Sequence, residues 1–101
     1  MDKDTKREEL IESAYKCAEV LKEKYGVKKV FLIGSLVYGT VHDRSDIDLV
    51  VEGLAPEQYV KALVDLSDML QWDVEINLIP FEDAFESLKE KTLKKGKLIY
   101  G

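Results

Sequence analysis

Cysteine, histidine and proline are scarce: one, one and two among 101 residues. A lone cysteine, Cys17, cannot close an internal disulfide, so the chain must be held by its core. His42 has no second histidine or cysteine near it and reads as a solvated loop residue rather than a catalytic one. No apolar run approaches the roughly 20 residues that cross a bilayer. The opening MDKDTKREEL has no apolar stretch behind its charges, unlike a secretory signal, so a cytoplasmic protein with no membrane partner is expected. Basic residues are outnumbered, 15 against 20 acids, and the net charge of −5 argues against general binding to DNA or RNA. A chain of 101 residues buries one core and has no room for a second lobe, so residues 1–101 are expected to form a single domain.

What is present is periodicity. Leu10, Ala14, Cys17, Ala18, Leu21 and Tyr25 fall on one stripe and predict a helix over 5–25, with Thr5 and Glu8 at capping-box spacing and Gly26 at its end. Lys29 to Ile33 is a short apolar run that predicts a buried strand ending at Gly34. Ser35 to Tyr38 fits one helical turn, and 40–45 is a polar loop. Asp46 to Glu52 predicts a second strand with Ile47, Leu49 and Val51 on one face. Pro56 suits the first turn of a helix that runs to about residue 70, with Tyr59, Leu63, Leu66 and Leu70 facing the core. Trp72 to Ile79 alternates, Trp72, Val74, Ile76 and Leu78 against Asp73, Glu75 and Asn77, and is expected to stop at Pro80. A last helix is predicted over 82–95, with Ala84, Leu88 and Lys91 or Thr92 in register, before an edge strand at Lys97 to Tyr100. The loop between the first two strands is too short for a crossover helix, so they should pair antiparallel. A later strand–helix–strand unit suits a parallel pair, and the expectation is an α/β (α+β) fold on a small mixed sheet.

The informative segment is GSLVYGTVHDRSDID, residues 34–48. Side chains at i and i+2 of a strand point the same way, about 7 Å apart, so Asp46 and Asp48 share a face while Ile47 and Leu49 lock it against the core. Neighbouring carboxylates resist ionising together, and a bound cation removes the conflict. Magnesium suits the pair, because it takes one or two carboxylates plus phosphate oxygens. An isolated Asp-x-Asp is more often a solvated strand face; the flanking apolar residues and the upstream turn reverse that preference here. Gly34 permits a sharp bend, and Ser35 opens a helical turn whose free N–H groups attract phosphate. The antiparallel return brings the two elements together, which describes a magnesium–nucleotide site.

This segment resembles the signature of the minimal nucleotidyltransferases of the DNA polymerase β-like superfamily, in particular the MNT proteins that pair with HEPN-domain partners. The likeness extends over the whole order of elements. It implies the nucleotidyltransferase fold, a small mixed sheet with helices mainly on one side. It also implies Mg²⁺ as cofactor, ATP as substrate, and transfer of AMP to an acceptor hydroxyl, in the antitoxins a tyrosine of the HEPN toxin. By position, Gly34 and Ser35 would hold the triphosphate and Asp46 and Asp48 the metal ions. The implied partners are ATP and a HEPN-domain protein, within a homo- or hetero-oligomer.

Two positions depart from the family pattern. Its third carboxylate falls where this chain reads Ile76-Asn77-Leu78-Ile79, so Asn77 takes that slot. An amide oxygen can ligate a metal but carries no charge. Glu75, two residues earlier on the same face, is the candidate substitute as catalytic and metal-ligating acid; the alternative is a solvated strand residue. Where many relatives have arginine before the second glycine, this chain has Tyr38, which either stacks on the base or packs. Arg44 in the following loop is the candidate phosphate contact, against an ordinary surface ion pair. Tyr59, Phe81, Phe85 and Tyr100 are core or partner surface, and the lysines from Lys89 to Lys97 a solvated face or a partner contact. Two other functions remain open beside the enzyme: a catalytically impaired module that neutralises or scaffolds a partner by contact, and a regulator that binds nucleotide without transferring it.

Overall fold

The computed structural model describes residues 3–34, 46–70 and 74–101, with side chains from Glu8 onward. Helix α1 spans Lys3–Tyr25. Leu10, Ala14, Cys17, Ala18 and Leu21 are buried along it, as their helical spacing requires. The helix opens before Thr5, which therefore lies inside its first turn and not at its cap. Gly26 ends it with φ +64°, its N–H donating to the Lys22 carbonyl at 3.1 Å.

Strand β1 (Lys29–Ile33) pairs antiparallel with β2 (Asp46–Glu52), placing Leu32 opposite Leu49 and Ile33 opposite Asp48. A 3-10 turn at Pro56–Gln58 leads into α2 (Tyr59–Met69), which returns the chain so that β3 (Glu75–Pro80) lies parallel to β2. After α3 (Glu86–Lys95), β4 (Lys97–Tyr100) pairs antiparallel with β1. The sheet order is β3-β2-β1-β4, a mixed sheet as the loop lengths predict.

Two boundaries differ from expectation. Pro80 does not stop β3 but is its last residue, opposite Val51; β3 is a sheet edge, where a missing N–H is tolerated. Trp72 and Asp73, expected at the start of this strand, lie outside the described residues. The helix expected over 82–95 is broken. Phe81–Asp83 is a 3-10 turn, Ala84 and Phe85 are extended with ψ of 149° and 155°, and the α-helix begins only at Glu86. Two contacts anchor that turn to the sheet. Phe81 stacks on Phe31 at 6.3 Å, and the Gly53 N–H at the end of β2 donates to Glu82 Oε2 at 2.9 Å. The chain must leave these contacts before it can coil again, so Ala84 is not on the helix. Thr92 is the buried residue of α3, its hydroxyl donating to the Leu88 carbonyl at 2.7 Å.

The main core lies between one sheet face and helices α1 and α2, with Leu21, Leu32, Ile47, Leu49 and Leu66 at its centre. Each such side chain contributes about 1.5–3 kcal/mol by leaving water. A smaller cluster of Phe31, Ile33 and Val50 covers the other face, with Phe81 from the turn and Leu88 from α3 against it. Helices thus pack mainly on one side. Helices α1 and α2 are tied by the Tyr25 hydroxyl, which donates to the Asp65 carboxylate, while Lys24 Nζ stands 3.7 Å from Asp65 Oδ2. That hydrogen bond pushes the Tyr25 hydroxyl up to about 12 and holds the Asp65 carboxyl below its ordinary range. Among the described residues no helix is long and apolar enough to cross a membrane.

Candidate active site

Alternation along β2 builds the site. Ile47 and Leu49 are fully buried in the main core, which turns Asp46 and Asp48 to the opposite face, each half-buried. The parallel register with β3 sets Glu75 beside Asp46 and Asn77 beside Asp48. Paired residues of a sheet project to the same side, so the four polar side chains share one patch. Within it Asn77 Nδ2 donates to Asp48 Oδ1 at 2.7 Å. Glu75 and Asn77 are exposed.

The glycine turn meets this patch directly. Gly34, at the end of β1, has φ +86°, a conformation that glycine adopts without strain. A β-carbon there would collide with the Asp48 carboxylate at Oδ2. The backbone of residue 34 therefore approaches the acid as closely as only glycine allows, and the convergence expected from the spacing of Gly34 and Asp48 is present. Ser35, Tyr38, His42 and Arg44 lie outside the described residues.

Chemically, the patch offers two carboxylates on one strand face, with a third acid beside the first and a neutral amide beside the second. Hard oxygen donors of this kind fit a magnesium ion that takes its remaining ligands from phosphate and water. Among the described residues no three His, Cys, Asp or Glu side chains are grouped to hold a metal ion. Glu75 stands next to Asp46 in the register, not next to Asp48. Asn77, expected as a neutral ligand through its amide oxygen, donates its amide nitrogen to Asp48 Oδ1. Sequence reasoning missed that hydrogen bond. Its only trace in the sequence is that Asn77 and Glu75 share a strand face; the partner of each follows from the register with β2.

The remaining aromatic residues divide. Phe81 packs on Phe31, Tyr59 donates its hydroxyl to the Leu78 carbonyl at 2.6 Å, and Tyr100 packs against the main core beneath the Lys22 ammonium. Phe85 is 83% exposed. Of the C-terminal lysines, Lys89 covers the Phe81 ring and Lys97 the Tyr15 ring. A cavity of about 670 Å³ opens among Leu54, Pro56, Tyr59, Pro80 and Glu82. It lies at the C-terminal ends of β2 and β3, the opposite end of these strands from Asp46 and Glu75.

Residues 15–101 match the family model described as polymerase beta, nucleotidyltransferase. No curated protein matches the sequence closely enough to place it. Among solved structures, a toxin–antitoxin crystallised with AMP-PNP shares 23% identity, over 86% of this chain and 73% of that one, with a TM-score of 0.70. A mutant of the toxin–antitoxin MntA–HpeT shares 22%, over 85% and 71%, with a TM-score of 0.71. The toxin–antitoxin MntA–HepT shares 19%, over 88% and 70%, with a TM-score of 0.66. At these identities the likeness is one of fold.

Proposed function

Because this chain belongs to the polymerase beta nucleotidyltransferase family, we propose that it transfers AMP from Mg²⁺–ATP to a hydroxyl on a partner protein, a tyrosine of a HEPN-type toxin, and acts as the antitoxin. The observation that carries the reading is the meeting of Gly34 with Asp48 on the face that Asp48 shares with Asp46. The fold shared with toxin–antitoxin structures, one of them crystallised with AMP-PNP, supports the choice of nucleotide and partner.

In this reading Asp46 and Asp48 hold the metal, and Gly34 and Ser35 bind the triphosphate through backbone N–H groups and the serine hydroxyl. Arg44 neutralises phosphate charge, and Tyr38 stacks on the base. Bound Mg²⁺ supplies neutralisation of the triphosphate and of charge that develops on the leaving group. Glu75 accepts the proton of the acceptor hydroxyl. The acceptor oxygen then bonds to the α-phosphorus, the bond from that phosphorus to the bridging oxygen breaks, and pyrophosphate leaves. Positioning and fixed charge do most of the work.

Incubation with labelled ATP, Mg²⁺ and a candidate HEPN-type toxin tests the proposal. Label on the partner, lost in Asp46→Asn and Asp48→Asn, is the expected result. A second reading draws on Asn77, which puts a neutral group where the family pattern has an acid: a module that neutralises its partner by contact alone. Inhibition of the toxin without label supports that reading and overturns the first.

A further inference from the structure

We propose that Asn77 is a positioning residue that holds Asp48 in its ligating orientation before a divalent cation arrives. The inference rests on the reading above, in which Asp48 is a metal ligand. Asp46 and Asp48 lie on one face of β2, both half-buried, and without a cation two such carboxylates repel. Two contacts meet the Asp48 carboxylate. Asn77 Nδ2 donates to Oδ1 at 2.7 Å, and the Gly34 backbone closes against Oδ2. A hydrogen bond onto an ionised oxygen is about twice as strong as one between neutral groups. Each carboxylate oxygen keeps a lone pair for a cation.

Among the described residues of β3, the register gives this task to residue 77. Asn77 is the β3 residue beside Asp48, while Glu75 stands beside Asp46. An acid at 77 would set a third negative charge against Asp48 Oδ1 and depend on a cation to relieve it. The amide instead donates a hydrogen bond and adds no charge. Groups that orient a metal-ligating carboxylate typically set affinity by ten- to a hundredfold.

The test uses the full chain and Mn²⁺ alone as probe, with calorimetric titration and thermal melts for the wild type, Asn77→Ala and Asn77→Asp. Asn77→Ala is expected to weaken Mn²⁺ binding about tenfold. Asn77→Asp is expected to melt below the wild type without metal and to gain more than the wild type when Mn²⁺ is added. A merely structural Asn77 would move melting in both variants and leave Mn²⁺ affinity where it was. Wild-type affinity in Asn77→Ala, or wild-type metal-free melting in Asn77→Asp, overturns the inference while leaving the functional reading intact. Absence of Mn²⁺ binding to the wild type, with or without nucleotide, overturns the functional reading and the inference together.

Discussion

Gly34 and Asp48 contend for one volume: a side chain at residue 34 would run into the carboxylate at residue 48. The contact joins the end of β1 to the outward face of β2, and it is what turns two separate sequence features into one site. Ile33, the residue before the glycine, is the register partner of Asp48, so the antiparallel pairing of β1 and β2 delivers the glycine to the acid.

Replacing Gly34 by alanine therefore acts twice. The φ of +86° penalises any L side chain, by about 1–2 kcal/mol for a left-handed residue, and the methyl displaces the Asp48 carboxylate. Urea unfolding is expected to show that loss. Mn²⁺ titration of the folded variant is expected to show weakened metal binding, since the proposed ligand, Asp48, has moved.

In the proposed mechanism, Asp46→Asn and Glu75→Gln separate metal holding from acceptor activation. The first removes a ligand charge and is expected to reduce AMP transfer by about 100-fold or more. The second is expected to slow transfer while nucleotide affinity, measured by calorimetry, stays within about twofold, because Glu75 serves the acceptor hydroxyl and not the triphosphate. Unchanged transfer in Glu75→Gln would make Glu75 a solvated strand residue.

The Tyr25–Asp65 bond ties stability to pH at both ends of the scale. Tyr25 is raised from 10.0 to about 12, chiefly by its hydrogen bond to Asp65, so its contribution is complete below pH 10 and is lost as pH rises through about 12. Asp65 is lowered from 3.8, chiefly by the same bond and then by Lys24 and Lys61, so its contribution is present above pH 3.8 and is lost as pH falls below it. Tyr25→Phe should melt lower at neutral pH and lose less than the wild type towards either extreme. Thermal melts across pH 2–12 provide the check.

Cys17 reports on opening of the core. The thiol is fully buried on α1 and burial pushes it up to about 12, so thiolate is scarce and sheltered at neutral pH. An aromatic disulfide reagent at pH 8 is expected to modify Cys17 at the rate at which the protein opens, rising steeply with urea. Rapid labelling in native buffer would show that α1 detaches on its own.

Much of this architecture can be read along the chain, because it depends on local repeats. The apolar spacing from Leu10 to Leu21, the alternation from Ile47 to Val51 and that from Val74 to Leu78 each match a face that is buried. Loop length was enough to predict the antiparallel pairing of β1 with β2 and the parallel return of β3. The departures come from contacts between distant segments. Helical spacing placed Ala84 on a helix, yet Phe81 on Phe31 and Glu82 on Gly53 hold the chain extended there. Periodicity treated Phe81 and Phe85 alike, and the fold buries part of one and exposes the other. Tyr25 and Asp65 meet across 40 residues of chain, with no local pattern to announce it.

That two acids stand on one strand face opposite a core-facing Ile47 and Leu49 follows from residues 46–49 alone, since a strand's side chains alternate by covalent geometry. That Asn77 and the Gly34 backbone close on Asp48, while Glu75 falls beside Asp46, was decided only when β1 and β3 docked on either side of β2. The physical reason is that register between strands separated by loops or a whole helix is set by how their buried faces fit together, and a slip of one residue would have turned Asn77 away from the acid.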